Sequence, residues 1–128
     1  RLNEYKWSEF DEQFKIQVRS IHLIMSNLIK NNILSENSKL FIVSSSATKG
    51  IPPKGISNYI LAKHLLEKYF QIFKKELLIK GVQVFILKPK AFKSPLYSLM
   101  PKYFNNKDFA KSELEIKKIV NSIKNKLL

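Results

Sequence analysis

Apolar residues recur three and four apart at Phe14, Val18, Ile21, Ile24, Met25, Leu28 and Ile29, with His22 on the same stripe. That period predicts a long amphipathic helix, capped by Ser8 or Asp11 and running to about Asn32, after a loop over Arg1 to Ser8. Ser35 to Lys39 reads as a polar turn. Leu40 to Val43 is a short unbroken apolar run, which predicts a strand covered on both faces. Ser44 to Gly55 carries two Gly and the pair Pro52-Pro53, so it leaves the strand as a loop. Helical spacing returns from Ser57 to Lys80, where Leu61, Ala62, Leu65, Leu66, Tyr69, Phe70, Phe73 and Leu77 mark a wide buried face and Gly81 suits the C-terminal cap. Val82 to Leu87 predicts a second strand, ended by Pro89. The stretch to Lys107 is broken by Pro95 and Pro101, and Asp108 to Lys126 predicts a last helix whose apolar side holds Phe109, Leu114, Ile116, Ile119, Val120 and Ile123.

Strand, crossover helix, strand makes a βαβ unit with a right-handed crossover. Two parallel strands leave open edges and bury too little area to stand alone. The fold class expected is therefore α/β: the C-terminal half of a Rossmann-like, doubly wound parallel sheet in three layers, α/β/α. No internal repeat or boundary divides residues 1–128, which read as one partial domain. The chain starts Arg-Leu-Asn-Glu without Met and contains no G-x-G-x-x-G turn, so the first, nucleotide-binding half is expected either upstream or not at all.

A net charge of +13 changes this picture less than it first suggests. Basic surfaces attract nucleic acid. Here, however, only Arg1 and Arg19 of the 23 basic residues are Arg, and the lysines are scattered from Lys6 to Lys126. A solvated surface is favoured over a nucleic-acid patch. No apolar run spans a bilayer, so no membrane partner is expected. The lack of Cys excludes disulfide and thiolate chemistry and fits a reducing cytoplasm, and two His are too few for a His-based metal site.

Candidate chemistry lies where the first strand hands over to the second helix. Tyr59 and Lys63 are four apart near a helix start and so share one face, and Ser46 stands 13 residues before Tyr59 in the loop leaving the strand. Ligands of open α/β sheets sit at the C-terminal ends of strands. A phenol is a poor proton shuttle near neutrality, but an adjacent ammonium favours the phenolate, and a serine hydroxyl can hold a carbonyl oxygen against it. Tyr103 and Lys107 repeat the spacing without a strand or serine before them, and read as loop.

Val43-Ser44-Ser45-Ser46-Ala47 with Gly50, and then Gly55-Ile-Ser-Asn-Tyr59-Ile-Leu-Ala-Lys63, resemble the strand, serine and Tyr-x-x-x-Lys signature of the short-chain dehydrogenase/reductase family. Gly81-Val82-Gln-Val84, Leu87-Lys-Pro89 and then Phe92, Ser94, Pro95 and Leu96 resemble the stretch that follows it. The resemblance implies a carbonyl/alcohol oxidoreductase using NAD or NADP, with NADP slightly favoured, on a small-molecule substrate. It implies Tyr59 as acid/base, Lys63 lowering its pKa and holding the nicotinamide ribose, Ser46 orienting substrate, and Pro89, Phe92 and Ser94 beside the nicotinamide. It also implies a homodimer or homotetramer through the first helix and the Tyr59 helix. Two positions depart from the family: Gln17 stands where a relay Asn is usual, and Lys90 follows Pro89 where Gly is usual. They motivate the alternative of a weakened or inactive interaction module on the same fold.

Overall fold

The computed structural model describes residues 6–51, 55–92 and 111–128. The broken stretch, with Ser94, Tyr103, Lys107 and Phe109, lies outside them. A helical segment opens the chain: α1 (Trp7–Phe14), a π turn (Lys15–Arg19) and α2 (Ser20–Lys30). It begins upstream of the expected caps, with Lys6 at the N-cap and no side chain capping it. The aromatic rings explain the earlier start, since Trp7, Phe10 and Phe14 pack on successive turns with centroids 5.1 and 6.5 Å apart. Asp11 lies inside the helix and pairs with Lys15 at 2.5 Å. The π turn adds a residue to one turn and rotates the apolar stripe. Val18 and Met25 are buried, whereas Ile24, expected on that face, is exposed.

Asn32, at φ 53°, ends this segment: its N–H reaches the Ile29 carbonyl and the Ile33 N–H reaches Leu28. The left-handed residue closes the last turn as a Schellman motif. The same device ends α3 (Ser57–Ile79), where Gly81 has φ 72° and the N–H groups of Gly81 and Val82 bond the Leu78 and Leu77 carbonyls. Gly is required there twice over, because a Cβ would stand 2.8 Å from the Glu36 Cα.

β1 (Lys39–Val43) and β2 (Gln83–Leu87) pair in parallel, from Lys39 opposite Gln83 to Val43 opposite Leu87, with α3 between them in sequence. The fold is thus mixed α/β, mostly helical, around a two-stranded parallel sheet. Leu40, Ile42, Val84 and Ile86 pack into the core of Val18, Met25, Leu66, Phe70, Leu77 and Val82. Strand side chains alternate, so Phe41 and Phe85 take the other face, stacked at 5.2 Å.

That second face is only partly covered, contrary to expectation: no residue of either strand is fully buried, and Val43 is half exposed. α4 (Ser112–Leu127) reaches the sheet near its end, through Lys39 Nζ to the Leu127 carbonyl (3.2 Å) and Lys126 Nζ over the Phe85 ring (5.5 Å). Its Leu114, Ile116 and Val120 remain exposed, and its buried residue is Glu115. On α3 the buried face is Ile60, Ala62, Leu66, Glu67, Phe70 and Leu77, and the expected Leu61 and Leu65 face outward. No helix of the described residues is long and apolar enough to cross a membrane.

Candidate active site

The β1–β2 ladder continues past both strands, and this continuation builds the site. Ser44 N–H donates to the Leu87 carbonyl (2.8 Å) and Ser46 N–H to the Pro89 carbonyl (2.9 Å). The chain then turns in a 3-10 segment (Ser46–Thr48), with the Ser45 hydroxyl accepting the Ala47 N–H at 3.2 Å. α3 starts beside this loop and presents Tyr59 and Lys63 one turn apart. The Lys63 ammonium donates to the Val43 carbonyl at 2.9 Å and sits 5.6 Å from the centre of the Tyr59 ring. Tyr59, Lys63 and the serine loop therefore meet at the C-terminal end of β1.

Of the loop serines it is the Ser45 hydroxyl that acts on the phenol, favouring its ionised form. Ser46, expected to orient the substrate, is on the same turn, and its N–H bonds the Pro89 carbonyl. The electrostatics also differ from expectation. Burial pushes the Tyr59 phenol up, and the Ser45 hydroxyl pulls it down by less, so the phenol is held protonated. The Lys63 ammonium lies over the ring, 5.6 Å from its centre, and is aimed at the Val43 carbonyl. Burial lowers the Lys63 pKa in turn, opposed by the negative charge of Glu67.

Glu67 is the residue that sequence reasoning missed. It is 6% exposed, yet its carboxylate accepts three side-chain bonds: Ser44 Oγ and Thr48 Oγ1 at Oε1 (2.5 and 2.8 Å) and Lys88 Nζ at Oε2 (2.6 Å). Burial alone would raise its pKa. The bonds from Lys88, Ser44 and Thr48, with the Lys88 charge, outweigh that and hold the carboxyl below the usual carboxylate range. A signal existed in the sequence: Glu67 lies four residues after Lys63, between the buried Leu66 and Phe70.

Pro89 is drawn to the site by Ser46, and Phe92 follows as an isolated β-bridge residue, half-buried. Ser94 lies outside the described residues. The Lys90 N–H is already bonded, at 2.8 Å, to Oε1 of the buried Glu115, whose Oε2 has Lys118 at 3.5 Å. Gln17 lies in the π turn, which packs on α3; its amide donates to Gln13 Oε1 at 2.7 Å and its own buried Oε1 has no partner among the described residues.

A separate cavity of about 170 Å³ lies between α2 and α3, lined by Met25, Ile29, Phe73 and Leu77 and, at its polar side, His22 and Tyr69, joined at 3.0 Å. It contains none of the Ser45, Tyr59 and Lys63 group. Among the described residues no cluster of His, Asp and Glu could hold a metal ion. Compared with known proteins, the chain matches no family model, no curated protein and no solved structure.

Proposed function

We propose that this chain carries the proton-transfer machinery of an NAD- or NADP-dependent oxidoreductase of the short-chain dehydrogenase/reductase type, on one half of a doubly wound sheet. The observation that carries the reading is that Lys63, bonded to the last carbonyl of β1, lies over the Tyr59 ring beside the loop that carries Ser45 and Ser46. The C-terminal end of β1 is the end of a parallel sheet at which ligands bind.

Burial keeps the phenol in its proton-bearing form at neutral pH, so it has a proton to give, although the raised pKa makes it a weaker acid than a free phenol. A substrate carbonyl oxygen seated between the Ser45 hydroxyl and the Tyr59 phenol accepts a hydrogen bond from each, and takes the Tyr59 proton as negative charge develops on it. The Lys63 ammonium then stabilises the phenolate that remains. A reduced nicotinamide, when bound, supplies the hydride. Lys63 fits its ribose end, since an ammonium has three donors and Val43 uses one. Tyr59 and Lys63 would hold the ribose hydroxyls, with Pro89 and Phe92 beside the ring.

The test is turnover of a panel of ketones and aldehydes by the full-length protein with NADPH or NADH, compared with Tyr59→Phe. Wild-type turnover lost in the Phe variant supports the reading, and equal rates remove it. One observation favours a second reading, a non-catalytic interaction module on the same fold: the backbone donor after Pro89 is already occupied by a buried carboxylate, Glu115. Thermal stabilisation by either dinucleotide counts against that module.

A further inference from the structure

We infer that Glu67 is a positioning residue: its carboxylate latches the Ser44–Thr48 loop and the Lys88 end of β2 onto α3, and so sets the Ser45 hydroxyl against the Tyr59 phenol. The catalytic meaning of this latch rests on the oxidoreductase reading; the coupling between Glu67 and Tyr59 does not.

The geometry surrounds Ser45. Its neighbour Ser44 and the turn residue Thr48 both end on Glu67 Oε1, and Thr48 Oγ1 also lies 2.8 Å from the Ser45 carbonyl. A hydroxyl has one proton, so Thr48 shares it between Ser45 and Glu67 and ties the serine's own backbone to the carboxylate. Glu67 stands two turns after Tyr59 and one after Lys63 on the same helix, so loop and phenol are referred to one rigid frame. The other oxygen holds Lys88, next to the Pro89 carbonyl that anchors Ser46. Among the described residues, Lys63 and Lys88 are the charged groups that face the carboxylate. A residue needed only to fill the core would be apolar here, because burying a carboxylate is costly unless every oxygen is bonded.

The test follows the Tyr59 resonance in protein labelled at the tyrosine ζ-carbon, identified by its loss in Tyr59→Phe and titrated upward from neutral pH. Ser45→Ala removes the hydroxyl that favours the phenolate and is expected to move the titration to higher pH. Thr48→Val, which keeps the shape and does not touch the phenol, is expected to move it in the same direction by a smaller amount, and Ser44→Ala likewise should Thr48→Val fail to fold. Turnover of Thr48→Val is expected to fall on the order of ten-fold in kcat with KM nearly unchanged. The inference is overturned if both Thr48→Val and Ser44→Ala titrate with the wild type, or if Ser45→Ala does. The titration needs no cofactor: a wild type without turnover sinks the oxidoreductase reading alone, and the latch is still decided.

Discussion

The Lys63 ammonium is bonded to the Val43 carbonyl at 2.9 Å, so the residue assigned to charge control also satisfies the last carbonyl of β1. Val43 is half exposed, so water can partly replace the ammonium and the bond is worth less than a buried one. Replacing Lys63 by Met is therefore expected to act twice. Unfolding should become easier by about 0.5–1.5 kcal/mol, the net range for a hydrogen bond whose acceptor water can reach. Turnover should fall as well, which Lys63→Met alone cannot separate from the stability loss. Urea denaturation beside initial rates on the folded fraction separates them, and a variant as stable as wild type would refute the structural half.

Tyr59 should set the alkaline limit of carbonyl reduction. Burial raises its pKa, so the acid form persists through neutral pH and reduction is expected to be flat there, falling only as pH rises into the range where the phenol ionises. Ser45 works in the opposite sense, favouring the phenolate. Ser45→Ala should thus shift the falling limb to higher pH while lowering the plateau, a pattern visible in a pH profile of kcat. A limb that moves to lower pH would contradict the assignment.

Stability should carry the mark of Glu67 at acid pH. Its folded pKa is depressed, so the unfolded chain binds more protons in the window between the folded value and the ordinary one of 4.5. Stability from this group is present above that window and is lost as pH falls through it. Glu67→Gln should flatten the acid limb of a Tm-against-pH curve. Glu67→Ala should cost about 2–3 kcal/mol, near the low end for breaking a buried pair, because the Lys88 side chain is 28% exposed and can turn to water.

The order of elements was legible because period, glycine and proline speak for themselves. The apolar stripes of α2 and α3, the run Leu40 to Val43, and Gly81 at a left-handed turn each have one local reading. The site was legible only in outline. Which of Ser45 and Ser46 meets the phenol depends on the sense of one 3-10 turn, and adjacent identical residues carry no sign of it. Glu67 was passed over because a carboxylate on a helix is normally solvated, and only its three donors, distant in sequence, make burial tolerable. The π turn left no trace, since it adds a residue without changing composition. The exposed face of Phe41 and Val43 was misjudged because an unbroken apolar run predicts cover without saying what supplies it.

Gly81→Ala tests a part of the fold remote from the chemistry. The residue has φ 72°, and an added Cβ would meet the Glu36 backbone at 2.8 Å. Left-handed strain alone is worth roughly 1–2 kcal/mol, and the backbone contact adds to it. The variant should melt several degrees lower while the Tyr59 titration of its folded form is unchanged. An Ala variant as stable as wild type would mean that the loop at Glu36 yields freely.

The parallel pairing of Lys39 with Gln83 sets a condition on how the chain acquires its shape. No hydrogen bond of the sheet can form until segments more than forty residues apart are brought together, and closing so long a flexible loop is entropically unfavourable. α3 lies almost wholly within that gap, and helices form in a microsecond or less from local contacts. Once wound, its 23 residues no longer behave as slack, and the interval to be closed shrinks to a connection of thirteen residues before it and three after it. Folding speed should therefore follow the helicity of α3: a glycine at an exposed site such as Lys74 should slow refolding, whereas the same change at an exposed site of α4 should leave the refolding rate alone.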